Sequence, residues 1–173
     1  MGKIPFRQAS AFLRYEKGGA VQRLLHTLKY HENSEMGYWL GRLAAQELQK
    51  DDSPLCGTDL LLPVPLHPRK EKERGYNQAA EIARGLQAVW HTPIDTQALR
   101  RIRFTDTQTR RSVYNRWENV QDIFSVADSS LLKGKHILIV DDVVTTGSTL
   151  SAVAAAVLAV PGTSVSLFSI AVA

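Results

Sequence analysis

The sequence has a single cysteine, Cys56, among its 173 residues. One thiol excludes an intrachain disulfide and any zinc site built from cysteines. The five histidines (His26, His31, His67, His91 and His136) show no metal-ligand spacing and read as surface or packing residues. No apolar run is long enough to span a bilayer. The most apolar tract, residues 152–173, is interrupted by Pro161-Gly162 and reads as helix, turn and strand. No signal-peptide pattern opens the chain, so a cytoplasmic protein is the expectation. Internal repeats and a linker that would divide two domains are also missing, which leaves one domain of ordinary size. No helix-turn-helix or RNA-binding signature is visible.

What remains is the composition of a globular α/β protein: 44% hydrophobic and 22% charged, with alternating strand and helix patterns. The net charge is +4, and the cations are unevenly placed: eleven of the 21 Lys and Arg lie between Arg69 and Arg116. That middle third favours a polyanionic partner, either a pyrophosphate-bearing substrate or nucleic acid. A solvated basic face is the bland alternative.

One stretch organises the chain. Ile137-Leu138-Ile139-Val140 reads as a strand buried on both faces of a parallel sheet. Asp141 and Asp142 stand at its carboxyl end, where ligands bind in open α/β sheets. Thr145-Thr146-Gly147-Ser148-Thr149 then leads into a helix marked by Leu150, Val153, Ala154, Val157 and Leu158. The N-terminus of such a helix offers free N–H groups and the positive end of its dipole, which suit a phosphate. The two carboxylates suit hydroxyls or a hydrated divalent cation. A sugar phosphate would need both. A Walker A loop is excluded because no lysine follows Gly147, and a dinucleotide fingerprint because two of its three glycines are missing. An Asp-x-Asp phosphotransferase would need an acid at Val143. A purely structural turn, with Thr146 or Ser148 as helix cap, would leave two carboxylates at a buried strand end without a task.

In chain order, residues 1–17 are weakly patterned and fit an edge strand or a flap. Val21, Leu24, Leu25 and Leu28 predict a helix ending near Tyr30, and Ser34 can cap a second helix with Trp39, Leu40, Leu43, Ala44 and Leu48 as its apolar face. Asp59 to Leu66 predicts a buried strand halted near Pro63. A basic loop, His67 to Gly75, and a helix from about Asn77 to Trp90 follow. Short strands are expected within Thr96–Arg103 and at Ile123–Val126. Between them lies a cation-rich excursion, Arg100 to Arg111, and a short helix over Ser112–Asn119. Ser164 to Val172 predicts a last strand with alternating burial.

Ile137 to Thr149 resembles the phosphoribosyl pyrophosphate (PRPP) signature of the type I phosphoribosyltransferases. Further stretches resemble the ComF family of that group. These are Leu62-Pro63-Val64-Pro65-Leu66-His67, Arg74-Gly75-Tyr76-Asn77-Gln78-Ala79, Arg103-Phe104-Thr105-Asp106-Thr107-Gln108 and Arg116-Trp117-Glu118-Asn119-Val120, with Leu28-Lys29-Tyr30 at the end of the first helix. The likeness spans residues 20–172. ComF proteins are competence-associated relatives of the glutamine-PRPP amidotransferase phosphoribosyl domain. They often begin with a four-cysteine zinc ribbon, which is not found in this sequence.

The resemblance implies an α/β type I phosphoribosyltransferase fold: a central, mostly parallel sheet flanked by helices, with a small hood. Residues 1–50 would supply a helical segment or hood, and residues 59–173 the core with the PRPP site. It also implies Mg²⁺-dependent transfer of the 5-phosphoribosyl group from PRPP to a small nitrogenous acceptor, with release of pyrophosphate. Asp141 and Asp142 would then hold the ribose hydroxyls and, directly or through water, Mg²⁺. Thr145, Thr146, Gly147, Ser148 and Thr149 would cradle the 5-phosphate. His67, Arg69, Lys70 and Arg74 would meet the pyrophosphate. Thr105 and Gln108 belong to the flexible loop that closes over PRPP in these enzymes, with Arg110 and Arg111 as clamps. Asn77 is a supporting candidate. Two other functions compete: a non-catalytic PRPP-binding competence factor, and a nucleic-acid-binding one using the six arginines between Arg100 and Arg116. The acceptor has no readable signature.

Overall fold

The computed structural model describes residues 4–16, 18–30, 34–102 and 123–173. Among them the chain runs β1 (Ala9–Arg14), α1 (Ala20–Tyr30), α2 (Ser34–Lys50), β2 (Leu60–Pro63), α3 (Pro68–Arg74), α4 (Gln78–Trp90), β3 (Leu99–Arg101), β4 (Phe124–Val126), β5 (His136–Val144), α5 (Ser148–Leu158) and β6 (Ser164–Val172). The main sheet has the order β1-β6-β5-β2 with every neighbour parallel. An isolated parallel bridge, Leu61 to Ile94, extends it past β2. β3 and β4 form a separate antiparallel ribbon. This is the parallel α/β architecture expected of a type I phosphoribosyltransferase fold.

β5 is central because its side chains serve two cores. Ile137 and Ile139 join α5, the ribbon residues Leu99 and Phe124, and Val165 and Leu167 of β6. Leu138 and Val140 join Leu25 and Leu28 of α1, Ala44 and Ala45 of α2, and Ile82 and Leu86 of α4. All four β5 residues are fully buried, as a strand covered on both faces should be. β6 is buried from Val165 to Ala171. Its expected alternation of burial is therefore corrected: Val165 and Leu167 enter one core and Phe168, Ile170 and Ala171 the other, so neither face meets solvent.

The N-terminal segment is part of this layering. β1 is an edge strand of the main sheet, and α2 lies against α4. The apolar face expected on α2 is corrected in part: Ala44 is in the core and Leu40 and Leu48 pack against it, but Trp39 and Leu43 do not. Its buried residues are Gly37, Gly41, Ala44 and Ala45, whereas Trp39 and Leu43 are 56% and 47% exposed. Small residues face inward because the two helices touch at the backbone. A Cβ on Gly41 would overlap the Ile82 carbonyl oxygen, and one on Gly85 would overlap that of Tyr38. On the outer surface, Trp39 stacks edge-on with Tyr38 at 5.5 Å and carries the Arg42 guanidinium at 5.3 Å.

Candidate functional site

The site begins where β2 ends. β2 pairs with β5 only as far as Pro63 opposite Val140, and its last bond runs from the Val64 N–H to the Val140 carbonyl, 2.9 Å. Pro63 and Pro65 share the parity of Leu61, whose N–H donates away from β5 to the Pro93 carbonyl, so their missing donors end pairing on that outer side. β5 does continue: it stays paired with β6 as far as Val144 opposite Val172. The strand therefore runs through the acidic pair instead of stopping before it, and Asp141 to Val144 project past β2 with one edge unladdered.

Asp141 and Asp142 are half-buried there. The Asp142 N–H donates to the Asp141 carboxylate at 2.9 Å, and the Val143 N–H to the Asp142 carboxylate at 2.8 Å. Each acid is thus anchored by the backbone of the residue after it.

Thr145 and Thr146, both exposed, turn the chain into α5. The helix cap is Gly147, not Thr146 or Ser148. Its φ of 73° is left-handed, and it has no side chain to close the first turn. The hydroxyls stay local: Thr146 donates to Ser148 at 3.0 Å and accepts the Ser148 N–H at 3.4 Å. No acid lies in the first turn of α5, so the positive end of the dipole is not countered from within the helix. A cavity of about 460 Å³ adjoins this turn, lined by Ala9, Ala11, Thr145, Thr146, Gly147 and Ser169 among others. It reaches the Thr-rich turn but not the two acids.

The basic segment after β2 lies at the same end of the sheet, since β2 and β5 are parallel neighbours. It is not the loop expected from its charge. Pro68–Arg74 forms α3, with His67 at its N-cap accepting the Arg69 N–H on Nδ1 at 3.3 Å, Pro68 in the first turn, and Gly75 at φ 79° closing the other end. α3 buries none of its residues, which is why periodicity could not reveal it. Arg69 is exposed and Lys70 half-buried on this helix.

Arg74 and Asn77 are tied into the scaffold. Arg74 Nη1 donates to Gln78 Oε1 at 2.9 Å. Asn77 caps α4 by accepting the Ala79 N–H at 3.0 Å, and its Nδ2 donates to the Val64 carbonyl at 3.0 Å. It thereby locks α4 to the chain leaving β2. Tyr76 donates its hydroxyl to the Leu28 carbonyl at 2.5 Å, and burial raises its phenol above its ordinary pKa. The stretch Arg74 to Gln78 therefore builds the wall beside the site.

Thr105, Gln108, Arg110 and Arg111, together with the short helix expected over Ser112–Asn119, lie outside the described residues. The ribbon strands β3 and β4 stand on either side of that segment. Arg101, which the sequence reading merged with the excursion, stands at the end of β3. Its guanidinium lies 5.6 Å from the centre of the Phe124 ring. Burial lowers its pKa, and the Asp141 carboxylate opposes that shift.

A family model described as a phosphoribosyl transferase domain matches residues 72–171, a span that contains α4, the ribbon, the acidic pair and the Thr-rich turn. The chain is a ComF-family phosphoribosyltransferase-like protein. Its ComF-family relatives include "DNA utilization protein YhgH" of Escherichia coli (strain K12), 35% identical over 133 residues, 76% of this chain and 58% of that protein. "Competence protein F" of Haemophilus influenzae is 32% identical over 121 residues, 66% of this chain and 53% of the relative. "Competence protein ComFC" of Bacillus subtilis is 32% identical over 91 residues, 53% of this chain and 35% of the relative. The chain thus spans 58% or less of the length of these ComF proteins. Among the described residues no helix is long and apolar enough to cross a membrane.

Proposed function

We propose that this protein binds PRPP and transfers its 5-phosphoribosyl group, with Mg²⁺, to a small nitrogenous acceptor, releasing pyrophosphate. The observation that carries this reading is the juxtaposition on β5 and α5: two backbone-anchored carboxylates followed at once by an open helix N-terminus. Asp141 and Asp142 grip the ribose hydroxyls. The N–H groups and hydroxyls from Thr145 to Thr149 receive the 5-phosphate. Arg69 and Lys70 on α3 face the pyrophosphate end of the substrate and offset its charge as the bond to the anomeric carbon breaks. With the sugar fixed at two points, the acceptor nitrogen meets a held electrophile.

The donor set suits Mg²⁺, which is commonly held by one or two carboxylates together with substrate phosphates. Asp141 and Asp142 would hold it, directly or through water. When bound, the ion would neutralise charge on the departing pyrophosphate.

A second reading has its own support. Relatives named for competence and DNA utilization and the six arginines between Arg100 and Arg116 favour a role linked to DNA, with PRPP as a signal. Calorimetric titration of PRPP with and without Mg²⁺ tests the main reading, followed by an acceptor screen for pyrophosphate release. Micromolar, Mg²⁺-dependent binding is expected. Absence of binding by folded protein would move the DNA reading to the front, where a steep fall of DNA affinity with salt is the mark of phosphate contacts.

A further inference from the structure

Gln78 is a polar side chain in a place that suits an apolar one. It opens α4 and is only 2% exposed. Its Oε1 accepts from Arg74 Nη1 at 2.9 Å. A guanidinium donates and never accepts, so the amide oxygen faces Arg74 and the NH₂ group is turned away from it. Buried there, Nε2 finds no hydrogen-bond partner among the described residues, although the Tyr76 phenol is near enough to feel the amide. An unmet buried donor is destabilising, and a methionine of similar length would avoid it. Arg74 itself does not need the bond, because it is half-buried and water can serve its guanidinium. What the bond supplies is a fixed direction. That direction is tied to the site. Lys70 and Arg74 are the two half-buried residues of α3, four apart and so on one face. Asn77, beside Gln78, donates to the Val64 carbonyl at 3.0 Å, and the Val64 N–H makes the last bond to β5 before the acidic pair. Gln78 thus holds Arg74 in the frame of β5.

We infer that Gln78 is a positioning residue: it aims the Arg74 guanidinium, beside Lys70, at the pyrophosphate end of PRPP. This rests on reading the site as a PRPP site with Arg74 among its pyrophosphate-binding cations. The physical need is specific. Arginine grips phosphate oxygens through a planar fork, so its direction counts as well as its charge. An arginine left to swing would have to be immobilised at the moment of binding, which weakens the complex. A side chain kept only to fill the core would have no reason to retain an amide whose nitrogen goes unmet.

The test is a double-mutant cycle on the full chain with Gln78→Met, Arg74→Met and both together. Calorimetry reads the affinity for PRPP with Mg²⁺ and for ribose 5-phosphate, which lacks the pyrophosphate. Gln78→Met should weaken PRPP by about tenfold, as a misaimed guanidinium loses about one charge-assisted bond. It should leave ribose 5-phosphate within about twofold of wild type, and in the Arg74→Met background it should cost PRPP less than about a further twofold. Its urea midpoint without ligand should equal or exceed that of wild type, because the unmet donor is gone. If the methionine variant does not fold, Gln78→Glu, which keeps an acceptor for Arg74, takes its place and should hold PRPP within about threefold. Wild-type PRPP affinity in Gln78→Met, equal losses for the two ligands, additive losses in the double variant, a fall in stability, or a loss above about tenfold in folded Gln78→Glu would overturn the role of Gln78 and leave the PRPP site standing. Failure of the folded wild type to bind PRPP would overturn the site reading and this role with it.

Discussion

Gly85→Ala is the sharpest test of how the scaffold is built. An added Cβ would overlap the Tyr38 carbonyl oxygen, approach the Arg42 backbone nitrogen to 2.6 Å and lie 2.9 Å from the Gly41 carbonyl carbon. Favourable contacts begin near 3.5 Å, so α2 and α4 must separate by roughly 1 Å. All three obstacles are main-chain atoms, and no rotamer change relieves them. Overpacking of this kind costs about 1–3 kcal/mol, and an immovable backbone obstacle belongs at the upper end. Alanine returns about 1 kcal/mol of helix propensity. The net expectation is a loss of about 2 kcal/mol, which at a urea slope near 2 kcal/mol/M moves the midpoint down by about 1 M. Gly57, whose Cβ would meet nothing within 4 Å, is the control, and its alanine variant should stay within about 0.5 kcal/mol of wild type. A Gly85→Ala protein as stable as wild type would refute the close helix crossing.

Asp142→Asn should weaken Mg²⁺-dependent PRPP binding by more than about tenfold, or 1.4 kcal/mol, whereas Ser148→Ala should matter less because the backbone donors of α5 remain; calorimetry reads both. Asn77→Ala removes the α4 cap and the bond to the Val64 carbonyl, and should lower stability by about 1–2 kcal/mol in thermal or urea unfolding. His136 shares a 2.9 Å hydrogen bond with Ser166; burial, then Arg7, hold its imidazole below its ordinary pKa of 6.5 against the pull of Asp59. The unfolded chain therefore takes up that proton first, so stability is full above pH 6.5 and declines as pH falls from there toward the lower folded value. Urea midpoints at pH 7.5 and 5.5 should show this slope, and His136→Gln should flatten it.

The parts of the fold that were legible in the sequence are those where apolar residues alone decide. Ser164–Val172 is observed with the expected bounds, and the four buried residues of β5 are the Ile137–Val140 run read as a buried strand. Legibility fails where the deciding force is something else. The reach of β5 past Asp141 depends on hydrogen bonds to β6, a partner the local pattern does not reveal. The inward face of α2 is chosen by how closely two backbones can approach, so glycine and alanine win over Trp39 and Leu43. α3 has only its caps to announce it, because every residue on it meets solvent. At the site, the acids and the Thr-rich turn were readable because strand, turn and helix are contiguous.

The position of the acidic pair follows from main-chain accounting. In a parallel sheet, alternate residues of an interior strand bond to alternate neighbours. The Val140 carbonyl accepts from Val64 in the last bond between β5 and the chain leaving β2, and the Asp142 N–H lies beyond it. That N–H donates to the Asp141 carboxylate at 2.9 Å. An unmet buried donor would cost about 1–3 kcal/mol, so the carboxylate has a structural duty beside its proposed chemical one. Asparagine keeps an oxygen for the N–H and loses only the charge. Asp141→Asn should therefore leave stability within about 0.5 kcal/mol of wild type while weakening PRPP, whereas Asp141→Leu should lose both, with a stability cost of about 1 kcal/mol or more in urea unfolding. Equal stability of the asparagine and leucine variants would show that the β5 edge does not depend on its own side chain, and the anchoring of the pair would need another source.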